Sequence, residues 1–163
     1  EQLRMLDAGQ GERVPTLDEV LDLIKPSPGF LINIEVTNYD TPRDGLENDV
    51  VALLKRHDMN ERVLFSSFNH LLVRTLAGLL PEVPRGLLYY GAQALPMRNV
   101  WLSPVVKHEF RHPHHSMVTL DFVRKMRAAG RGVNAWTVNE PADIRRMAAM
   151  GLSGIIGDFC SCK

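Results

Sequence analysis

The chain has 163 residues with Lys+Arg and Asp+Glu balanced at 19 each, a length that suits one domain with a sizeable core. A zero formal net charge leaves no basic field to attract nucleic acid or anionic lipid. No apolar run approaches the ~20 residues of a membrane-spanning helix, so neither a nucleic-acid nor a membrane role is expected.

In chain order, Thr16-Leu17-Asp18-Glu19 reads as a capping box opening a helix with Leu17, Val20, Leu21 and Ile24 at helical spacing. Pro26, Pro28 and Gly29 stop that helix, and a strand follows over residues 30–37. Its alternation of Ile32, Ile34 and Val36 with Asn33, Glu35 and Thr37 has the period of a strand and puts the two sets on opposite faces. Two placements of the polar face compete. In an antiparallel sheet with one wet side, Glu35 is merely solvated. In a parallel β/α barrel the aliphatics pack outward on helices, while Glu35 and Thr37 point inward near the strand's carboxyl end, where such barrels keep their active sites. An inward carboxylate needs a partner, and a divalent metal is a common one.

Asp44 is read as the cap of a helix carrying Val50, Val51, Leu53 and Leu54 and ending near His57. A buried strand is expected over 63–68, Asn69 as a cap, and Leu71, Leu72, Leu76 and Leu79 on the next helix. A strand follows at 86–90. The irregular stretch 91–116 is assigned a short helix at 97–103 and a short strand at 107–111. Thr119 to Ala129 reads as a helix with Phe122, Val123 and Met126 inward and Gly130 as its stop. A strand at 133–138 leads to Asn139, read as the cap of a helix with Pro141 in its first turn, and a last strand covers 154–158. Met126, Met147 and Met150 fall at core positions. Strands alternating regularly with helices mean parallel pairing, which favours the inward placement of Glu35.

Several other groups invite chemistry. His108, His112, His114 and His115 form the only histidine cluster; His112 and His114 would share a strand face able to bind Zn²⁺, although a polar loop is the better reading. Asp158 is expected to cap or to bind backbone amides rather than to act in a site. Ser66 and Ser67 lack a G-x-S-x-G elbow, which argues against a serine hydrolase. Cys160 and Cys162 are too close to pair well, and free thiols favour a reducing compartment, so a cytoplasmic location is expected.

Arg13-Val14-Pro15-Thr16-Leu17-Asp18-Glu19-Val20-Leu21, Asn33-Ile34-Glu35, Ser66-Ser67-Phe68, Trp136-Thr137-Val138-Asn139-Glu140 and Gly154-Ile155-Ile156-Gly157-Asp158 together resemble the glycerophosphodiester phosphodiesterase family, from about Leu3 to Asp158. The resemblance implies a (β/α)8 TIM barrel of the phospholipase-C-like phosphodiesterase type. Such a barrel typically takes about 250 residues. Residues 1–163 would therefore be one domain, a partial barrel lacking its first strands.

The implied activity is hydrolysis of glycerophosphodiesters to sn-glycerol 3-phosphate and an alcohol with a divalent metal, Mg²⁺ or Ca²⁺. Glu35 matches the metal-binding glutamate, Trp136 the tryptophan of the glycerol pocket, and Phe68 a second apolar wall. Many relatives have Lys where this chain has Thr37, which offers a hydroxyl but no charge. The family's His-Arg pair, Glu-x-Asp ligands and His-Asp acid fall upstream of Glu1, so no catalytic residue is assigned here and this chain alone is expected to be nearly inactive. The rival reading is a non-catalytic partial barrel that self-associates or binds a phosphorylated ligand without cleaving it.

Overall fold

The computed structural model describes residues 2–37, 45–93, 100 and 104–159. Six parallel strands lie side by side in sequence order: β3 (Ile32–Glu35), β4 (Val63–Ser67), β5 (Arg85–Tyr89), β6 (Phe110–Pro113), β7 (Gly132–Ala135) and β8 (Gly154–Ile155). Helix α1 (Leu17–Ile24) precedes β3, and α2 (Leu46–His57), α3 (His70–Leu79), α4 (Leu120–Ala128) and α5 (Pro141–Ala149) join β3 to β4, β4 to β5, β6 to β7 and β7 to β8. Sequential parallel strands with helices between them form the wall of a partial β/α barrel, which is the expected architecture.

One face of this sheet is buried under the helices. Ile34 and Val36 pack with Val63 and Phe65 against Leu21 of α1, Val50, Val51 and Leu54 of α2, and Leu72 and Leu76 of α3. Leu87 and Tyr89 pack with Val73 of α3, and Ala135 with Val123 of α4 and Met147 of α5. Since side chains alternate along a strand, Glu35, Ser66, Gly86, Phe110 and Gly132, which pair across neighbouring strands, line the opposite face. That face is the inside of the barrel wall.

Three glycines let this inner face close up. A Cβ at Gly86 would sit 2.4 Å from Nε2 of His112, one at Gly132 would meet the Phe110 ring at 2.4 Å, and one at Gly154 would meet Oδ1 of Asn134 at 2.7 Å. Each glycine leaves space that a large side chain on an adjacent strand fills. Gly86→Ala is expected to destabilise the fold by about 1–3 kcal/mol through overpacking, read as a lower urea midpoint.

Local chemistry explains the helix ends. The α1 capping box forms as expected: Thr16 Oγ1 accepts from the Glu19 amide at 3.2 Å, and Glu19 Oε2 accepts from the Thr16 amide at 2.7 Å. Asn69 caps α3 by accepting from the Leu71 and Leu72 amides. The proline-rich turn after α1 is held by Arg62, whose guanidinium donates to the carbonyls of Ile24, Lys25, Ser27 and Phe30. Asp18 accepts from Arg56 and from His57 Nε2, tying α1 to α2. His57 and then Arg56 hold the Asp18 carboxyl below its ordinary range.

Several expectations need correction. The first strand is shorter than 30–37: Phe30 and Leu31 are exposed, and pairing begins at Ile32. β6 spans Phe110–Pro113 instead of 107–111, and β7 and β8 stop at Ala135 and Ile155. The cap of α2 is Gly45 in the left-handed region, and Asp44 lies outside the described residues. The cap of α5 is Glu140; Asn139 instead donates to Asp158 Oδ2 and accepts the Asp158 amide, each at 2.8 Å, so these two residues join the ends of β7 and β8. The expected 97–103 helix, apart from Val100, and both cysteines also lie outside the described residues. Met147 is fully buried, while Met126 and Met150 are only half-buried.

One element escapes sequence reading. Asp7–Gly9 (β1) and Glu12–Arg13 (β2) form an antiparallel hairpin whose residues are all exposed. Asp7 Oδ1 accepts from the amides of Gly9 and Gly11, and both glycines have positive φ. The Gly9-Gln10-Gly11 turn was the available signal.

Candidate functional site

At the carboxyl ends of the strands the inner face becomes aromatic. Phe68, Tyr90, His114 and Trp136 each stand two residues beyond an inner-face position of β4 to β7, so the same alternation brings all four to one level. Trp136 is the hub. Its ring meets Phe68 and His114 at 5.3 Å and Tyr90 at 6.3 Å between centroids, in each case edge to face. Such contacts are worth about 0.5–1.5 kcal/mol each beyond buried area. The indole Nε1–H donates to the His112 carbonyl at 2.7 Å, and the Trp136 carbonyl accepts from the His115 amide at 2.7 Å, so the ring is held from both ends. Tyr90, Gly91, Ala92, His114, Ser116 and Trp136 border an open cleft of about 450 Å³.

Glu35 lies on this inner face at the end of β3, paired with Ser66. It is solvent-exposed, and among the described residues it forms no ion pair. Desolvation by the neighbouring strands nevertheless pushes its carboxyl above the ordinary range, opposed by a hydrogen bond with the Thr37 side chain. The structure therefore joins Phe68 to Trp136 and Glu35 to Thr37, with both pairs on the same face and at the same end of the sheet.

The histidines have separate fates. His112 is fully buried on the inner face, where Nε2 accepts from Asn134 Nδ2 at 3.0 Å and burial lowers its pKa to about 4. His108 is buried below β6 with Nδ1 bonded to the Val106 carbonyl at 2.6 Å, and its pKa is also lowered to about 4, chiefly by burial. His114 lines the cleft, and His115 lies 3.9 Å from Asp143. Among the described residues, no three His, Cys, Asp or Glu side chains converge on a point that could hold a metal. Ser67 donates to the Val36 carbonyl at 2.6 Å, a structural bond. Sequence reading missed Tyr90 and His114; the signal was that both end strands in phase with Phe68 and Trp136.

No helix among the described residues is long and apolar enough to cross a membrane. Comparison with known proteins places this geometry. Residues 1–161 match the family model described as the glycerophosphoryl diester phosphodiesterase family. A glycerophosphodiester phosphodiesterase of Caldanaerobacter subterraneus is 32% identical over 166 residues, covering 97% of this chain and 66% of that protein. The crystal structure of a putative glycerophosphoryl diester phosphodiesterase from Silicibacter pomeroyi superposes with a TM-score of 0.78 at 28% identity, covering 91% of this chain and 54% of that one. The Oleispira antarctica phosphodiesterase, solved in complex with the product sn-glycerol-3-phosphate, gives a TM-score of 0.75 at 29% identity, over 96% of this chain and 65% of that one. The chain thus spans less than two thirds of the length of each of these proteins. With an inner-face glutamate and an aromatic mouth on a parallel barrel wall, it belongs to the glycerophosphoryl diester phosphodiesterase family.

Proposed function

We propose that this chain supplies one side of a metal-dependent phosphodiesterase site that cleaves glycerophosphodiesters to sn-glycerol 3-phosphate and an alcohol. The observation that carries this reading is that Glu35 and the Phe68–Trp136 wall share the inner face at the carboxyl ends of the strands. We take residues 1–163 as one domain.

A hard cation, Mg²⁺ or Ca²⁺, fits the chemistry of Glu35, because an exposed carboxylate that forms no ion pair among the described residues is an oxygen ligand ready to be used. Glu35 supplies one ligand only, and the others would come from residues outside this set. When bound, the cation would offset charge developing on the phosphoryl oxygens. Thr37 offers its hydroxyl to the Glu35 carboxylate, which partly opposes the upward shift of that group. Trp136 and Phe68 form an apolar, water-excluding wall against the carbon skeleton of the glycerol group. Among the described residues, no group is placed as the acid or base. Family membership favours an enzyme over a non-catalytic barrel; self-association through the edge of β3, which pairs with no further strand among the described residues, is compatible with both.

The test is release of sn-glycerol 3-phosphate from glycerophosphocholine by the complete protein. Turnover is expected with Mg²⁺ or Ca²⁺ and is lost on chelation; turnover that survives exhaustive chelation would overturn the metal assignment, and no turnover with either ion the activity.

A further inference from the structure

The cleft beside Trp136 has a polar rim whose hydrogen-bonding direction can be worked out. His114 Nδ1 receives the backbone N–H of Ser116 at 3.3 Å, and the Ser116 hydroxyl lies 2.8 Å from the same nitrogen. A backbone amide only donates, so Nδ1 carries the lone pair and the hydroxyl must donate to it as well. The ring proton of neutral His114 is then on Nε2. His114 stays neutral at pH 7, because desolvation and the neighbouring His115 hold its pKa below the ordinary histidine value. The serine oxygen, with its O–H directed at Nδ1, keeps its lone pairs for a ligand.

The rim of the cleft therefore carries an uncharged donor, His114 Nε2–H, and an uncharged acceptor, Ser116 Oγ. Both stand beside the perpendicular rings of Tyr90 and Trp136. We propose that His114 and Ser116 form a hydroxyl-recognising subsite, with His114 as a specificity-determining residue that binds an uncharged alcohol or diol whose C–H face rests on Trp136. A hydroxyl both donates and accepts, matching the pair. A phosphate would call for positive charge at this position, and a quaternary ammonium would gain nothing from the Nε2–H donor.

This inference rests on the phosphodiesterase reading for the identity of the hydroxyl-bearing group, the glycerol moiety, but the subsite can be probed without turnover. The Trp136 indole N–H, fixed on the His112 carbonyl, is a reporter beside the cleft. Titration of this chain with glycerol is expected to move its NMR resonance saturably. His114→Phe, which keeps a ring against Trp136, should weaken that binding about tenfold, the equivalent of one neutral hydrogen bond. His114→Gln, which keeps an N–H donor, should stay within about threefold of the wild type.

In the complete enzyme, His114→Phe should raise KM for glycerophosphocholine by the same factor. It should leave KM unchanged for bis(4-nitrophenyl) phosphate, a diester without hydroxyls. Absence of any glycerol-dependent shift in the wild type overturns the subsite, as does an equal KM change for both diesters. Turnover absent in the wild type with glycerol binding intact sinks only the phosphodiesterase reading. Thermal melts of both variants that match the wild type establish that the fold is retained.

Discussion

Glu35→Gln is expected to abolish metal-dependent turnover of the complete enzyme, by roughly a hundredfold or more. This corresponds to about 3 kcal/mol or more of transition-state stabilisation lost with a metal-ligand charge. The amide keeps the shape and one acceptor oxygen but gives up the negative charge that a hard cation needs. Folding should be untouched, because Glu35 is exposed and its neighbours Ile34 and Val36 carry the packing of β3. Relief of a desolvated carboxylate should if anything raise stability slightly. The measurement is kcat and bound metal for both proteins alongside an unfolding curve. Retention of full activity with a stoichiometric metal would remove Glu35 from the site.

Acid should weaken the fold well before its carboxylates protonate. His108 and His112 bind a proton at about 4 in the folded chain, against about 6.5 when unfolded. Between those values the unfolded chain holds more protons, so stability rises with pH and falls on acidification from 6.5 to 4. Each ring accounts for up to about 3 kcal/mol, a sizeable share of a typical domain's total. The loss of lowered carboxylates such as Asp18 and Asp143 follows only below about pH 4, because their stabilisation is present above the unfolded value and disappears as pH drops through the folded one. Glu35, whose pKa is raised, acts in the opposite direction and offsets a little of the loss. Urea midpoints taken from pH 7.5 to 4 should trace this decline. His112→Gln, which preserves an acceptor for Asn134, should make it shallower. A midpoint constant across that range would show that the two rings are not buried as neutral groups.

Period-two alternation carried most of the legible structure. It placed Ile34 and Val36 against helices and Glu35 on the other face, because a half-buried strand writes its two environments into alternate residues. The capping box at Thr16 and the cap at Asn69, both satisfied locally, were legible for the same reason. What failed depended on distant partners. Asn139 has the composition of a helix cap but is claimed by Asp158, which is 19 residues further on. β6 was displaced because His112, polar by type, is buried inside the wall, so its neighbourhood did not look like a strand. The buried Arg85 was read as lying outside its strand, although Glu109 neutralises it at 2.7 Å. Of the mouth, Phe68 and Trp136 were legible by resemblance and Tyr90 and His114 were not, since an aromatic at a strand end declares its company only once the strands are set side by side.

The hollows at Gly86, Gly132 and Gly154, each occupied by a ring or an amide from a neighbouring strand, act like the tumblers of a lock. Sliding β5, β6, β7 or β8 along its neighbour would drive a ring or an amide into a backbone with no hollow to receive it, so these four strands have a single permitted stagger. The height of Trp136 above the floor of the wall is thus dictated from below, by places where the chain carries no side chain at all.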